Sequence, residues 1–171
     1  RSDQEKTIPP RRILRMEALV DVLEKSSVIT CHAYVAPEML MMIRLAEEYV
    51  ITIQSFAHGL EGYKIADELA AHGAGVGTFS DWWAYKFETY DALPHSPGLM
   101  AERGVIVAVN SDNADLARRL NQEAAKSIMY TDIEPEEALK LVTINPARIL
   151  GIDHRVGSLK PGKDADFVIW S

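Results

Sequence analysis

Polar side chains that can bind a metal ion or move a proton end several apolar runs in this sequence. His32 and His58 each follow one such run, Asp112 follows a third, and Asp81 ends another. If these runs are parallel strands, their carboxyl ends meet at one edge of the sheet, where the loops build the active site. The pattern therefore predicts one site to which His32, His58 and Asp112 all contribute.

The chemistry of these three residues suits a divalent metal ion. Two neutral imidazoles and one carboxylate are a ligand set for zinc or a similar ion, and a carboxylate beside that ion can take the proton of the water that it activates. A lone histidine at a strand end is, however, more often a hydrogen-bonded structural residue than a ligand. The spacing alone leaves both interpretations of His32 and His58 open.

Strand-like and helix-like segments alternate along the chain. Strands are predicted over residues 28–32, 51–57, 75–79 and 105–110. Helices are predicted over residues 13–25, 37–49, 63–71, 98–103, 116–129, 134–142 and 146–150. This alternation indicates βαβ units, a parallel sheet and an α/β fold. From Val156 onward the pattern changes to a hairpin-like turn and a strand from Ala165 to Trp170.

Length and composition fit one globular domain. The chain has 171 residues, of which 47% are hydrophobic and 25% charged. A net charge of -7, with no basic run longer than Arg11-Arg12, argues against a nucleic-acid partner. No run approaches the roughly 18 apolar residues of a membrane helix, so no membrane span is predicted. The single Cys31 excludes an internal disulfide framework, and the compartment stays open.

Several segments resemble amidohydrolases of the imidazolonepropionase-like group. They are Thr30-Cys31-His32-Ala33, Phe56-Ala57-His58-Gly59, Leu60 to Leu69, Val109-Asn110-Ser111-Asp112, Thr143-Ile144-Asn145-Pro146-Ala147, Leu150-Gly151-Ile152 and Gly157 to Asp166. The resemblance covers about residues 28 to 170. It implies half of a (β/α)8 TIM-type barrel, strands 5 to 8, followed by returning strands of a small β-sandwich. We therefore expect an N-terminal linker and helix over residues 1–27, the half-barrel over 28–151 and the sandwich segment over 152–171.

The same resemblance assigns roles to residues. It places the fifth-strand metal ligand on His32, the sixth-strand ligand on His58, and the eighth-strand aspartate, which is both ligand and proton shuttle, on Asp112. It implies a divalent metal ion, zinc in the first place, and hydrolysis of an amide or other C–N bond in a small-molecule substrate. The stretch from Ser80 to Lys86 resembles a pocket wall, although packing of its aromatic residues against the barrel rim is the alternative. The candidate pocket residues are Asp81, Trp82, Trp83, Tyr85 and His95.

Parts of the family pattern have no counterpart in this chain. No two of its histidines are separated by one residue, so the family's first-strand His-x-His pair is absent, and so is the bridging ligand of its fourth strand. We therefore expect a fragment of a metal-dependent hydrolase, cut at both ends, with little activity of its own. The alternative is a non-catalytic half-barrel that self-associates and keeps remnant metal-ligand residues.

A half-barrel also predicts association. Four parallel strands taken from an eight-stranded barrel leave two open edges and expose their inner face. We expect either a homo-oligomer or association with a missing N-terminal half. In a monomer, the predicted helix from Ile13 to Lys25 is the element expected to cover an edge.

Three further predictions are local. Val50 ends a helix where glycine would be usual, so a strained turn is expected there. His72 precedes Gly73 at the end of a helix and is predicted to cap it. Cys31 is expected to point away from the face that carries His32, into packing.

Overall fold

Strands and helices alternate as predicted in the computed structural model, which describes residues 11–169; residues 1–10 of the expected N-terminal linker lie outside the described residues. The strands are β1 (Ile29–His32), β2 (Ile53–Ala57), β3 (Gly75–Thr78) and β4 (Val107–Val109). The α-helices are α1 (Leu14–Leu23), α2 (Ala36–Glu48), α3 (Ala66–His72), α4 (Ser96–Glu102), α5 (Leu120–Tyr130), α6 (Pro135–Lys140) and α7 (Ile144–Ile149). The strands form one parallel sheet in the order β1-β2-β3-β4, which is an α/β fold.

The two faces of the sheet carry different side chains. One row in register is Cys31, Phe56, Val76 and Val107. The next row is His32, Ala57, Gly77 and Ala108. Because successive side chains of a strand point to opposite faces, His32 shares its face with small residues, whereas Cys31 packs against the core, as predicted.

Helices α2, α3 and α4 cover the face that carries the larger side chains. Met39 and Ile43 of α2 lie one helical turn apart and are buried in the main core cluster with Leu69 of α3 and Met100 of α4. The left-handed Gly73 ends α3, which lets the chain turn directly into β3. None of the helices between residues 11 and 169 has the length and hydropathy that crossing a bilayer requires.

The free edge of β4 is covered, contrary to the expectation of two open edges. The N–H of Val109 donates a hydrogen bond to the carbonyl of Leu141 at 2.9 Å. Asn145 Nδ2 donates to the carbonyl of Val107 at 3.0 Å. The segment from α6 to α7 therefore satisfies groups that a neighbouring strand would otherwise bind. Helix α1, the element expected in this role, has no buried residue.

The described part of the C-terminal segment forms no strand. Residues 165–169 of the strand predicted from Ala165 to Trp170 have no strand pairing, and Trp170 lies outside the described residues. A strand depends on hydrogen-bonded neighbours for its stability, and residues 152–169 contain no second strand to supply them. The returning β-sandwich strands are thus not present in this part of the chain.

The two predictions at helix ends had different outcomes. Val50 follows α2 with a φ of 55°, so the strained left-handed turn is confirmed. The prediction that His72 caps α3 is wrong. Its side chain is only 4% exposed, and its Nε2 accepts a hydrogen bond from the N–H of Ile53 at 3.0 Å. His72 thus joins the end of α3 to the start of β2, a contact between residues distant in sequence.

Candidate active site

The carboxyl ends of β1 and β2 bring two imidazole rings together. His32 is the last residue of β1, and His58 directly follows β2. Their ring centroids are 4.2 Å apart, with an interplanar angle of 53°. Neighbouring strands lie only about 4.8 Å apart, so residues at equivalent strand ends meet even when they are distant in sequence.

The imidazole of His58 is in a state that can bind a cation. Burial lowers the pKa of His58, and His32 lowers it further, against the opposing effect of the Asp112 charge. The neutral ring is therefore favoured at pH 7. Its Nδ1 is buried and has no hydrogen-bond partner in the described part of the chain. A buried nitrogen without a partner is unfavourable. His58 Nδ1 is therefore suited either to bind a metal ion or to form a hydrogen bond with a group outside the described residues.

Two aromatic rings pack nearly parallel to the ring of His58. The ring of Tyr34 lies 5.3 Å away at an interplanar angle of 12°, and that of Phe79 lies 5.1 Å away at 10°. The buried Phe79 stacks in turn on Trp82 at 4.6 Å. These contacts restrict the orientation of the imidazole. They also place Trp82, a predicted pocket residue, in contact with Phe79, the ring that stacks on His58.

Asp112 shares a cavity with His58. The cavity has a volume of about 440 Å³ and is lined by His58, Asn110 and Asp112 together with residues of α7. His58 and Asp112 both have left-handed backbone, with φ values of 63° and 42°. This conformation is uncommon for residues other than glycine, and it concentrates at functional sites.

His32, His58 and Asp112 do not form a compact cluster of three ligands. Between residues 11 and 169, no three His, Cys, Asp or Glu side chains lie close enough together to hold an ion. The ends of β1 and β4 are separated by three strand spacings, roughly 14 Å in an open sheet. The donor types suit a divalent ion, but only the rings of His32 and His58 adjoin directly, and Asp112 shares a cavity with His58.

Asp81 belongs to an ion-pair network. Lys126 Nζ donates to Asp81 Oδ2 at 2.7 Å and to Glu123 Oε2 at 2.8 Å. Burial disfavours the charged form of Lys126, but the hydrogen bonds to Asp81 and Glu123 outweigh this effect and raise its pKa. Ser80 Oγ also donates to the backbone carbonyl of Glu123 at 3.0 Å. The network anchors the segment after β3 to α5.

The remaining predicted pocket residues have other surroundings. Trp83 and Tyr85 are exposed, and Tyr85 meets Trp82 edge-on at 5.4 Å. His95 precedes α4 and lies beside the ring of Tyr130 at 5.4 Å. None of these three predicted residues lines the cavity that the described residues form between His58 and Asp112.

Glu61, which the sequence pattern did not single out, joins the two loops that carry the histidines. Its Oε2 accepts a hydrogen bond from the N–H of Ala36, at the start of α2, at 3.0 Å. Its own N–H donates to the carbonyl of Tyr34 at 3.0 Å. Lys64 Nζ lies 3.2 Å from the same carboxylate. The sequence signal that could have identified Glu61 is an acidic residue shortly after the strand-end histidine His58.

We expect Glu61→Ala to lower the free energy of unfolding by about 1.5–3 kcal/mol, because it removes a charged acceptor and leaves the N–H of Ala36 buried without a partner. Urea unfolding of the 171-residue chain measures the change. Glu68→Ala on α3 is the matched control, since no hydrogen bond of the Glu68 side chain is described. Equal unfolding energies for the two variants would contradict the role of Glu61.

Comparison with known proteins identifies related chains. A model of the amidohydrolase family matches residues 92–171. "Amidohydrolase tasK" of Hapsidospora irregularis is 30% identical over 162 residues, which are 92% of this chain and 16% of that protein. An imidazolonepropionase of Thermoplasma volcanium is 40% identical over 70 residues, 40% of this chain and 17% of that protein.

A solved structure shows the same architecture. The amidohydrolase from Thermotoga maritima superposes with a TM-score of 0.81 and 33% sequence identity, covering 95% of this chain and 43% of that chain. The present chain thus spans less than half the length of this relative and a smaller share of the other two. The agreement of sequence match, strand order and superposition shows that the chain belongs to the amidohydrolase superfamily.

Proposed function

We propose that this chain supplies strands 5 to 8 of a metal-dependent hydrolase barrel that cleaves an amide or another C–N bond. The observation that carries the proposal is His58. Its neutral imidazole has an unpartnered buried Nδ1, adjoins the ring of His32 and lines the same cavity as Asp112. Superfamily membership supports hydrolysis of a C–N bond as the reaction class.

In the proposed complete barrel, His32, His58 and Asp112 would be ligands of a divalent ion, zinc in the first place, and they would have to lie closer together than they do in the described part of this chain. A bound ion of this kind polarises the scissile carbonyl and lowers the pKa of water. Asp112 accepts the proton of the attacking water on its carboxylate and delivers it to the leaving nitrogen. The flanking rings of Tyr34 and Phe79 keep the imidazole of His58 oriented.

Zinc binding by the purified chain tests this proposal. We expect weak binding, because two imidazoles and one carboxylate without further ligands leave the ion loosely held. His58→Ala should weaken binding at least about 10-fold. Titration calorimetry measures the affinity, and His154→Ala, which removes an exposed histidine, is the control. Equal affinities of the original chain and the His58 variant would favour the non-catalytic half-barrel with remnant ligand residues.

We also propose that the isolated chain has little or no hydrolase activity, since the first-strand and fourth-strand ligands of the family have no counterpart in it. Hydrolysis assays with added zinc, followed by a chelator, test this point. Turnover that the chelator abolishes would contradict it and would show that these residues suffice for catalysis.

We propose that association uses the exposed apolar residues of α1 and the free edge of β1. Helix α1 has no buried residue and exposes Leu14, Leu19 and Leu23. The segment from α6 to α7 already covers the other sheet edge, so an N-terminal half or a second copy would bind this side. Such apolar surface is unfavourable in water.

Sedimentation velocity at micromolar concentration tests the association. We expect a species larger than a monomer, and Leu19→Glu should weaken its formation because it places a charge on the apolar side of α1. Leu159→Glu is the control, because Leu159 is also exposed but lies outside α1, and it should leave association unchanged. A monomer that unfolds cooperatively would contradict the proposal.

A further inference from the structure

Lys86 places an ammonium group next to the histidine pair. Its Nζ lies 3.8 Å from the centre of the Tyr34 ring, and that ring stacks on His58 at 5.3 Å. A group bound to this ammonium would therefore lie close to the strand ends where the proposed reaction occurs.

The backbone that carries Lys86 is held in a defined turn. Thr89 Oγ1 donates to the carbonyl of Lys86 at 2.9 Å and accepts from its N–H at 3.1 Å. Thr89 is only 1% exposed, although the aromatic residues around it are mostly exposed. Lys86 itself is half-buried. The loop after β3 thus positions the base of this side chain while leaving its ammonium end accessible.

No ion pair satisfies this ammonium within residues 11–169. Lys126 on α5, by contrast, binds both Asp81 and Glu123. The interaction with Tyr34 is the main cause that raises the pKa of Lys86. The charge of Glu88 adds to it, but Glu88 forms no ion pair with Lys86 within the described residues. A cation without a carboxylate partner, in a chain with a net charge of -7, favours an anionic ligand at this position.

We propose that Lys86 binds a carboxylate of the substrate and selects for C–N compounds that carry one, such as N-acyl amino acids or short peptides. This inference rests on the proposed hydrolase function. A lysine is a point charge that matches a monoanionic carboxylate. The rings of Trp82 and Tyr85 offer an apolar surface to the rest of such a substrate.

A matched pair of probes tests the selection. N-acetyl-L-phenylalanine and its carboxamide differ only in the carboxylate, and their dissociation constants are measured by tryptophan fluorescence and by shifts of the histidine ring signals. The experiment uses the 171-residue chain in the presence of a chelator. We expect the carboxylate probe to bind at least about 10-fold more tightly than the amide, and this preference to decrease at high salt.

Substitutions assign the preference to Lys86. Lys86→Met should make the two dissociation constants equal, Lys86→Arg should retain a preference for the carboxylate, and Lys140→Met on α6 should change neither constant. If Lys86 served only to hold the ring of Tyr34 in place, Lys86→Met would alter stability without altering the ratio of the two dissociation constants. Equal binding of both probes to the original chain, binding of neither at millimolar concentration, or a preference that survives in Lys86→Met would each overturn the inference. Because binding is measured without metal or turnover, this outcome is separate from failure of the proposed hydrolysis.

Discussion

Asp112→Asn, introduced into a complete barrel that contains this chain, should lower kcat by about 100- to 10,000-fold, the range that a positioned proton-transfer group contributes. The amide keeps the shape of the side chain but cannot accept the proton of the attacking water. Asp112 is exposed and no hydrogen bond of its carboxylate is described, so the folded state should be nearly unaffected. Steady-state kinetics and thermal unfolding measure the two effects.

The control for this variant is Asp115→Asn in the same loop. Asp115 pairs with Arg118 at the surface, and its substitution should leave kcat unchanged. Metal content of the Asp112 variant separates its two proposed roles, since loss of kcat with metal retained indicates the proton shuttle. An Asn variant with unchanged kcat would refute that role.

Phe56→Ala should lower the free energy of unfolding by about 3–5 kcal/mol, the usual cost of removing a large buried ring and leaving a cavity. Phe56 is fully buried at the centre of the register row formed with Cys31, Val76 and Val107. Its neighbours belong to both the sheet and the covering helices, so they cannot readily close the space. Urea unfolding measures the loss.

Phe87→Ala is the matched control, because Phe87 is 92% exposed and its removal leaves no cavity. Its free energy of unfolding should stay within about 0.5 kcal/mol of the original chain. Similar losses for both variants would mean that the sheet and helices do not form the packed core described above.

The elements, and the strand ends at which the candidate site residues lie, were largely predictable because they depend on local patterns. Alternating apolar runs and amphipathic segments predicted β1 to β4 and the helices between them to within a few residues. The strand-end positions of His32, His58 and Asp112 followed from those runs, as did the strained turn at Val50. The assignment of these three side chains as metal ligands remains a prediction.

Contacts between distant residues were decided only by the tertiary structure. The sequence contains no local sign that Glu61 binds the start of α2, that His72 binds β2, or that Leu141 and Asn145 cover the edge of β4. These hydrogen bonds depend on how helices pack over the sheet, and packing is a property of the whole chain.

The candidate site shows the same division between what the sequence determined and what the tertiary structure decided. Residue types and periodicity determined by themselves that imidazoles and a carboxylate stand at the ends of parallel strands. Only the tertiary structure decided that His58 adjoins both His32 and the cavity of Asp112, that two aromatic rings flank it, and that Lys86 stands beside them. Periodicity sets the face and the end of a strand on which a side chain lies, whereas its neighbours depend on register, loop conformation and packing between segments far apart in the sequence.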